Sequence, residues 1–235
     1  MAAAIQTAAR GQASGRRRHL EACFKLVQFA WTFRSRGYKF RVPEISRENV
    51  SVWISADFDS SLGNVGPQVV DVASKEKLRL EADGHARMGV CMFVACGNFP
   101  DPVEANQHAW CFYTRSSLNP TISIGTTEAE LTCSAWCSRE LMGARNFAKE
   151  VLPWVQIRTP VGFGDNTAAN IIASGAASVR AVRHLCLQRL YSRHVCKEGL
   201  LQVKEKRTAF MTADLLTKVV PSVVMDRLMK LLNLA

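Results

Sequence analysis

The sequence lacks long apolar runs and paired cysteine motifs. No stretch reaches the roughly 18 uninterrupted apolar residues that a membrane-spanning helix needs, which predicts a soluble protein without a membrane partner. The eight cysteines are scattered, and they form neither Cys-x-x-Cys pairs nor the accompanying His-x-x-x-His pattern of a zinc site. We therefore expect reduced thiols, most of them in the core, and no zinc centre.

Acidic residues are also in short supply. The 235 residues include 30 Lys and Arg against 20 Asp and Glu, for a net charge of +10, and this balance favours a polyanionic partner such as nucleic acid. With 48% hydrophobic residues, the chain is long enough for one sizeable core, or for one domain with an appendage. The Ala- and Arg-rich start has no acid before Glu21; it is typical of a flexible tail, with a transit peptide or a basic nuclear signal as alternatives.

Alternating apolar residues predict several strands. The first lies in "NVSVWISADFD" and ends in two aspartates, and the next two lie in "MGVCMFVAC" (88–96) and "AWCFYT" (109–114). Further short strands are predicted in "TISI", in "TPVGFGD" and in "LLQVKEK". The segment 60–87 is rich in Gly, Ser and charge, and we expect a long hairpin or insertion there.

Helical periodicity is found in four other regions. An amphipathic helix is predicted from Arg18 to about Arg36, and a longer helix from about Thr127 to Glu150, where Pro153 fixes its end. A basic helix is predicted from about Val179 to Lys197, and the chain ends in a helical region. Strands and helices in this order predict an α+β or α/β protein, in which helices pack on a mixed sheet.

Four acids stand where a predicted strand or helix meets a connection, and such positions can converge at one edge of a sheet. Hard carboxylate oxygens at that density suit Mg²⁺ or Mn²⁺. Each acid taken alone also has an ordinary explanation, as a turn aspartate or a solvated helix residue. The four candidates are Asp57, Glu130, Asp165 and Asp214.

Two glutamates compete for the helical position, since "TTEAEL" contains both Glu128 and Glu130. Neighbours on a helix surface are three or four residues apart, so these two side chains do not share a face. Glu130 lies on the stripe of less polar residues and is predicted to face inward. The alternative is a capping box, in which Glu130 accepts a hydrogen bond from the backbone N–H of Thr127.

Five segments in order resemble the ribonuclease H domain of copia-type LTR retrotransposon polyproteins. "TADLLTK" is similar to its C-terminal signature, "TTEAEL" to its Ser-Ser-Thr-Glu-Ala-Glu-Tyr segment, "GDNTAANIIA" to Cys-Asp-Asn-Gln-Ser-Ala, and "ADFDSS" to Asp-Ala-Asp-Trp-Ala. "HLEACFKLVQFAWTFRSRGYKF" resembles the helical connection that follows the reverse transcriptase. Composition predicts a disordered basic tail (1–17). The likeness covers most of residues 19–234, and we expect a connection helix and linker (18–48), a ribonuclease H-like domain (49–220) and a C-terminal helix (221–235).

The resemblance also implies a site and an activity. The metal-binding and catalytic acids fall on Asp57, Glu130, Asp165 and Asp214, with Asp59 as a reserve ligand and Asp71 as a rival for the first position. Glu128 becomes the residue that stabilises the helix N-terminus. The implied reaction is cleavage of the RNA strand of an RNA–DNA hybrid with two Mg²⁺ ions, for which Mn²⁺ can substitute.

Basic residues in the last quarter of the chain are the predicted contacts to nucleic acid. Three arginines lie near one face of the predicted basic helix and could track phosphates, although a solvated helix face explains them as well. A histidine of this helix matches one in the family's Lys-His-Ile segment, but a lone histidine is more often structural. The predicted set is Arg183, His184, Arg189, Arg193 and Lys218.

Three functions therefore remain open. The first is the hybrid-cleaving nuclease, acting in the cytoplasm or nucleus, with a reverse transcriptase domain as a possible partner. The second is a catalytically decayed relic of a retroelement that only binds nucleic acid. The third, an integrase or transposase, fits least because those enzymes use three acids ending in glutamate, whereas the order here is Asp, Glu, Asp, Asp.

Overall fold

The computed structural model describes residues 51–62, 85–177 and 187–232. The predicted N-terminal tail and connection helix lie outside the described residues, as do Asp71, Arg183 and His184. The proposed domain boundaries therefore stay predictions. Within the described part, no helix is long and apolar enough to cross a membrane.

A long antiparallel meander forms one half of a six-stranded sheet. Strand β1 (Ser51–Leu62) pairs along its length with β2 (His85–Cys96), and β2 pairs with β3 (Trp110–Ile122). The predicted strands at 109–114 and at "TISI" are one continuous strand, β3, rather than two. Because hydrogen bonds to β2 continue past residue 114, the predicted boundary between them does not exist.

Parallel strands complete the other half of the sheet. Two-residue β4 (Gln156–Ile157) and β5 (Val161–Gly164) both pair with β1, and β6 (Gln202–Glu205) pairs with β5. The strand order is β3-β2-β1-β5-β6, so β1 lies at the centre. The predicted fold class, a mixed sheet with helices packed on it, is confirmed.

The longest helix, α2, covers one face of this sheet. It runs from Thr126 to Val151, close to its predicted bounds, and buries ten of its side chains. The other helices are short: α1 (Pro102–Gln107), α3 (Thr167–Ala173), α4 (Tyr191–Lys197), α5 (Asp214–Thr217) and α6 (Ser222–Leu231). Helix α4 is the described end of the predicted basic helix.

The side chains on the two faces of β1 pack into different apolar clusters. Its apolar residues Val52, Ile54, Ala56 and Phe58 pack against α2 in the main core. The intervening residues face a smaller cluster to which α1, α5 and Leu232 contribute. Side chains alternate along a strand, so Asp57 and Asp59 lie on this second face together.

Two glycines allow a close approach of backbone that the site requires. A Cβ atom at Gly89 would lie 2.8 Å from side-chain atoms of Leu216 and Thr217, so α5 can rest directly on β2. A Cβ at Gly164 would lie 2.6 Å from the Phe58 ring. A larger residue at Gly89 would push α5 away from β2, and one at Gly164 would displace the Phe58 ring.

The described cysteines carry free thiols and lie largely inside the protein. Four of them are buried, and Cys96 and Cys196 are partly exposed. Burial raises the pKa of the Cys91 and Cys133 thiols well above their ordinary value. The prediction of reduced core thiols is confirmed for the described part of the chain.

Candidate metal centre

Three acids from three separate elements meet at one edge of the sheet. Asp59 lies near the end of β1, Glu130 in the first turns of α2 and Asp165 directly after β5. One carboxylate oxygen from each lies within 4.8 Å of the others. We call Asp59, Glu130 and Asp165 the acidic group.

Glu130 is buried, and one of its two carboxylate oxygens has no partner among the described residues. Its Oε1 accepts a hydrogen bond from the backbone N–H of Ser60 at 2.9 Å. Its Oε2 is buried and has no hydrogen-bond partner among the described residues. Burial, and then the charge of Asp59, raise the pKa of Glu130 to about 9. A carboxylate held here without a cation is costly, because a buried charge needs a partner.

Asp59 is buried as well, but both of its oxygens have partners. Its Oδ2 accepts a short hydrogen bond from Thr217 Oγ1, and its Oδ1 lies 3.1 Å from the ammonium of Lys218. Burial raises the pKa of Asp59, and Lys218 opposes that shift. Both partners come from the C-terminal end of α5.

Asp165 and Asp214 complete the acidic surroundings. Asp165 is half-buried, and its Oδ2 accepts a hydrogen bond from Thr208 Oγ1 at 3.0 Å. Asp214, the first residue of α5, is buried and lies 3.0 Å from Lys218 Nζ. Burial, and then the charge of Asp59, raise the pKa of Asp214 to about 6.

These side chains fit a divalent cation with oxygen ligands. Four carboxyl groups lie together, and Lys218 is the basic side chain that pairs with them directly. Burial raises the pKa of Asp59, Glu130 and Asp214, and the charges of neighbouring acids raise it further. The free oxygen of Glu130 is a ready ligand. Hard carboxylate ligands are those that Mg²⁺ and Mn²⁺ prefer.

Asp57 has different surroundings, although it lies two residues from Asp59. Its side chain is fully buried, and both oxygens lie 2.7–2.8 Å from the ammonium of Lys206. Thr212 donates to it from its backbone N–H at 3.1 Å and from its hydroxyl at 2.6 Å. The structure thus brings Glu130 and Asp165 together with Asp59, the predicted reserve, and gives Asp57 a cation of its own.

Glu128 and Glu130 divide as the helical stripe predicts. Glu130 faces inward, whereas Glu128 accepts a hydrogen bond from the backbone N–H of Ile124 at the start of α2 and pairs with Arg189. The capping box of the alternative interpretation is not formed, since Gly125 is the N-cap and Glu130 accepts from Ser60 instead.

The predicted basic contacts to nucleic acid are engaged within the protein where they are described. Arg189 donates to Thr121 Oγ1 at 3.2 Å besides its pair with Glu128. Arg193 is buried and donates to the backbone oxygen of Ala177 at 2.8 Å. Their roles stay predictions, and these contacts favour structural ones.

Pattern reasoning had no means of preferring Asp59 or of finding Lys206. The two aspartates share a strand face, so alternation cannot choose between them. Lys206 is 149 residues from Asp57 along the chain. The only signal that pointed to Asp59 was the second aspartate in the family's first motif.

Comparison with solved structures finds distant likenesses, including two ribonuclease H structures, all with low identity and TM-scores below 0.5. The N-terminal RNase H domain of a Mycobacterium tuberculosis protein is 14% identical with a TM-score of 0.37, and the likeness covers 77% of this chain and 98% of that one. RNase H1 from the archaeon Halobacterium salinarum is 12% identical with a TM-score of 0.38, over 74% and 98% of the two chains. NurA with manganese is 10% identical with a TM-score of 0.27, over 91% and 46%.

Likenesses at this level carry no argument about what this chain does. No family model matches the sequence, and no curated protein matches it. The fold class rests on the order and directions of the strands.

Proposed function

We propose that this protein is a metal-dependent endonuclease that cleaves the RNA strand of RNA–DNA hybrids. The observation that carries the proposal is the buried, unpartnered Oε2 of Glu130 within the group of three carboxylates. A cation is the missing partner of such a group, and acids converging from three elements at a sheet edge suit catalysis better than support of the fold.

In this proposal, Asp59, Glu130 and Asp165 hold the cation, and Asp214 lies beside them. The geometry favours Asp59 over Asp57 as the acid of β1. Mg²⁺, or Mn²⁺ in its place, would stabilise charge on the phosphoryl oxygens and lower the pKa of an attacking water. The protein's own part is to hold the carboxylates at fixed distances, with Glu130 placed so that it would ionise when the cation binds.

The substrate class follows from charge and from the sequence resemblance. A net charge of +10 favours a polyanion, and the five segments shared with copia-type elements support a hybrid of RNA and DNA, as well as descent from a retrotransposon. Selection of the RNA strand would depend on shape and 2′-hydroxyl groups rather than on base sequence.

The test is cleavage of a hybrid labelled in its RNA strand, with Mg²⁺ or Mn²⁺, beside RNA and DNA duplexes of the same sequence. The matched variants are Glu130→Gln and Glu128→Gln, two changes of equal chemistry two residues apart. We expect Glu130→Gln to lower the cleavage rate by about 100-fold or more and Glu128→Gln to retain it. Equal cleavage by the unmodified protein and Glu130→Gln would contradict the proposal.

A second candidate function is binding of nucleic acid without cleavage. Lys218 and Thr217 already satisfy both oxygens of Asp59, an arrangement that a decayed site would tolerate. Hybrid binding that needs no metal and weakens with salt, without cleavage in either metal, would favour this relic.

A further inference from the structure

Lys218 lies inside the candidate metal centre. Its Nζ is 3.1 Å from Asp59 Oδ1 and 3.0 Å from Asp214 Oδ1, so one ammonium bridges two acids. Its side chain is 30% exposed, so most of that side chain is enclosed. Although burial alone lowers the pKa of Lys218, the two carboxylates raise it above its ordinary value. The lysine is therefore a charged member of the centre.

The backbone around Lys218 is fixed to the sheet on several sides. Ser61 Oγ donates to the carbonyl of Thr217 at 2.8 Å, and Ser116 Oγ donates to that of Leu216 at 2.8 Å. The N–H of Lys218 donates to the carbonyl of Asp214 at 2.9 Å. Because these bonds hold α5 to β1 and β3, the lysine side chain starts from a fixed backbone position close to the two acids.

An ammonium and a divalent ion compete for the same oxygens. A bound Mg²⁺ needs ligands at about 2.0–2.1 Å, and Asp59 Oδ1 already accepts from Lys218. The two acids that Lys218 does not contact are Glu130, with its free oxygen, and Asp165. The positive charge of the lysine thus lies on the side of α5, and the acids that it leaves free to bind a divalent ion lie on the side of α2 and β5.

We propose that the ammonium of Lys218 is a built-in cation, occupying the position between Asp59 and Asp214 that would otherwise bind a divalent ion. The centre then binds one divalent ion fewer than the same four acids would bind without the lysine. This inference rests on the proposed metal centre, and it specifies how many ions that centre takes.

The test is the number of Mn²⁺ ions bound per chain, counted by electron paramagnetic resonance at fixed pH and salt. Lys218→Met keeps the length of the side chain and removes its charge, and Lys230→Met is the matched control on exposed α6. We expect Lys218→Met to bind one more ion than the unmodified protein, and Lys230→Met to bind the same number. An unchanged number in Lys218→Met overturns the proposal.

A second measurement needs no variant and so does not depend on how a variant folds. Acetylation rates by mass spectrometry should show Lys218 protected relative to Lys230, with the protection unchanged in saturating Mg²⁺. If Mg²⁺ makes Lys218 react as fast as Lys230, the ion displaces the lysine and the proposal is wrong. Ion counts and hybrid cleavage are separate readouts: an extra ion in Lys218→Met without cleavage by any form supports this inference while contradicting the proposed nuclease.

Discussion

Asp57 and Asp59 lie on the same face of one strand, yet they have opposite surroundings. Asp57 is fully buried, and Lys206 and Thr212 satisfy it completely. Asp59 is equally buried but lies among three other acids, against which Lys218 is the direct counter-charge. We call the first region the Asp57 pair; the second is the acidic group together with its neighbour Asp214.

The two regions differ in their balance of charge: Asp57 has one lysine to itself, whereas Asp59 shares Lys218 with Asp214 and lies beside Glu130, whose Oε2 has no partner among the described residues. In the Asp57 pair, the lysine neutralises the carboxylate, and both carboxylate oxygens have hydrogen-bond partners. In the acidic group, burial and mutual repulsion raise the pKa of Glu130 to about 9, and this cost is relieved only by a cation or by protons. An excess of buried charge of one sign is thus a better indicator of a functional site than a buried ion pair is.

The largest contrast should come from changing each aspartate to asparagine. We expect Asp59→Asn to lower hybrid cleavage by about 100-fold or more, because it removes a proposed ligand. Asp57→Asn should retain most of the cleavage per folded molecule, although it weakens the fold. Rates are compared after the folded fraction is measured by circular dichroism. The reverse pattern would return the first position to Asp57.

The Asp57 pair should in turn dominate stability. Lys206→Met leaves Asp57 buried without its cation, and breaking a buried pair in this way costs about 3–5 kcal/mol. Urea unfolding monitored by circular dichroism measures the loss. The double change of Asp57→Asn with Lys206→Met should recover part of it, since no buried charge remains. A loss below about 1 kcal/mol in Lys206→Met would show that the pair is unimportant to the fold.

The acidic group and its neighbour Asp214 should make the protein less stable in the absence of metal as the pH rises. Their raised pKa values mean that the folded state holds protons more tightly than the unfolded state. The associated stability is complete below the ordinary values of 4.5 for Glu130 and 3.8 for Asp214, and it is lost as the pH passes about 6 and then about 9.

In EDTA we therefore expect Tm to fall by several degrees between pH 5 and pH 9, at about 2–4 °C per kcal/mol for a chain of this size. Glu130→Gln should flatten this fall, and Mn²⁺ should reverse it in the unmodified protein. A Tm that rises over the same range would contradict the account.

The smallest effect should come from an exposed ion pair that belongs to neither region. Arg115 and Glu140 lie 3.5 Å apart with side chains 54% and 31% exposed. Arg115→Gln should change the free energy of unfolding by less than about 1 kcal/mol, because water screens the pair. Urea unfolding beside Lys206→Met places both changes on one scale, and an equal loss would remove the distinction between buried and exposed pairs.

Local pattern predicted much of the fold and part of the site. The apolar alternation of β1 and the helical stripe of α2 are short-range signals, so they gave the central strand and the inward position of Glu130. Strand β3 was divided wrongly at residue 114, because a polar stretch within a long strand resembles a loop when its partner strand is unknown.

What could not be predicted depends on contacts between distant parts of the chain. Lys206 and Lys218 are 149 and 159 residues away from the aspartates with which they pair. Nothing in the local sequence predicts that Lys206 pairs with Asp57 and Lys218 with Asp59. Arg189 and Arg193 were predicted to contact phosphates because their partners within the protein are not apparent from the sequence. Glu128 and the carbonyl of Ala177 become their neighbours only in the folded chain.

The most direct test of the central claim is the affinity of the protein for Mn²⁺, measured by calorimetric titration of the unmodified chain, Glu130→Gln and Asp57→Asn. The account predicts that Glu130→Gln weakens Mn²⁺ binding by about tenfold or more, whereas folded Asp57→Asn binds as the unmodified protein does. Equal affinity in Glu130→Gln, or loss of binding in Asp57→Asn alone, would contradict the assignment of the metal centre to Asp59, Glu130 and Asp165.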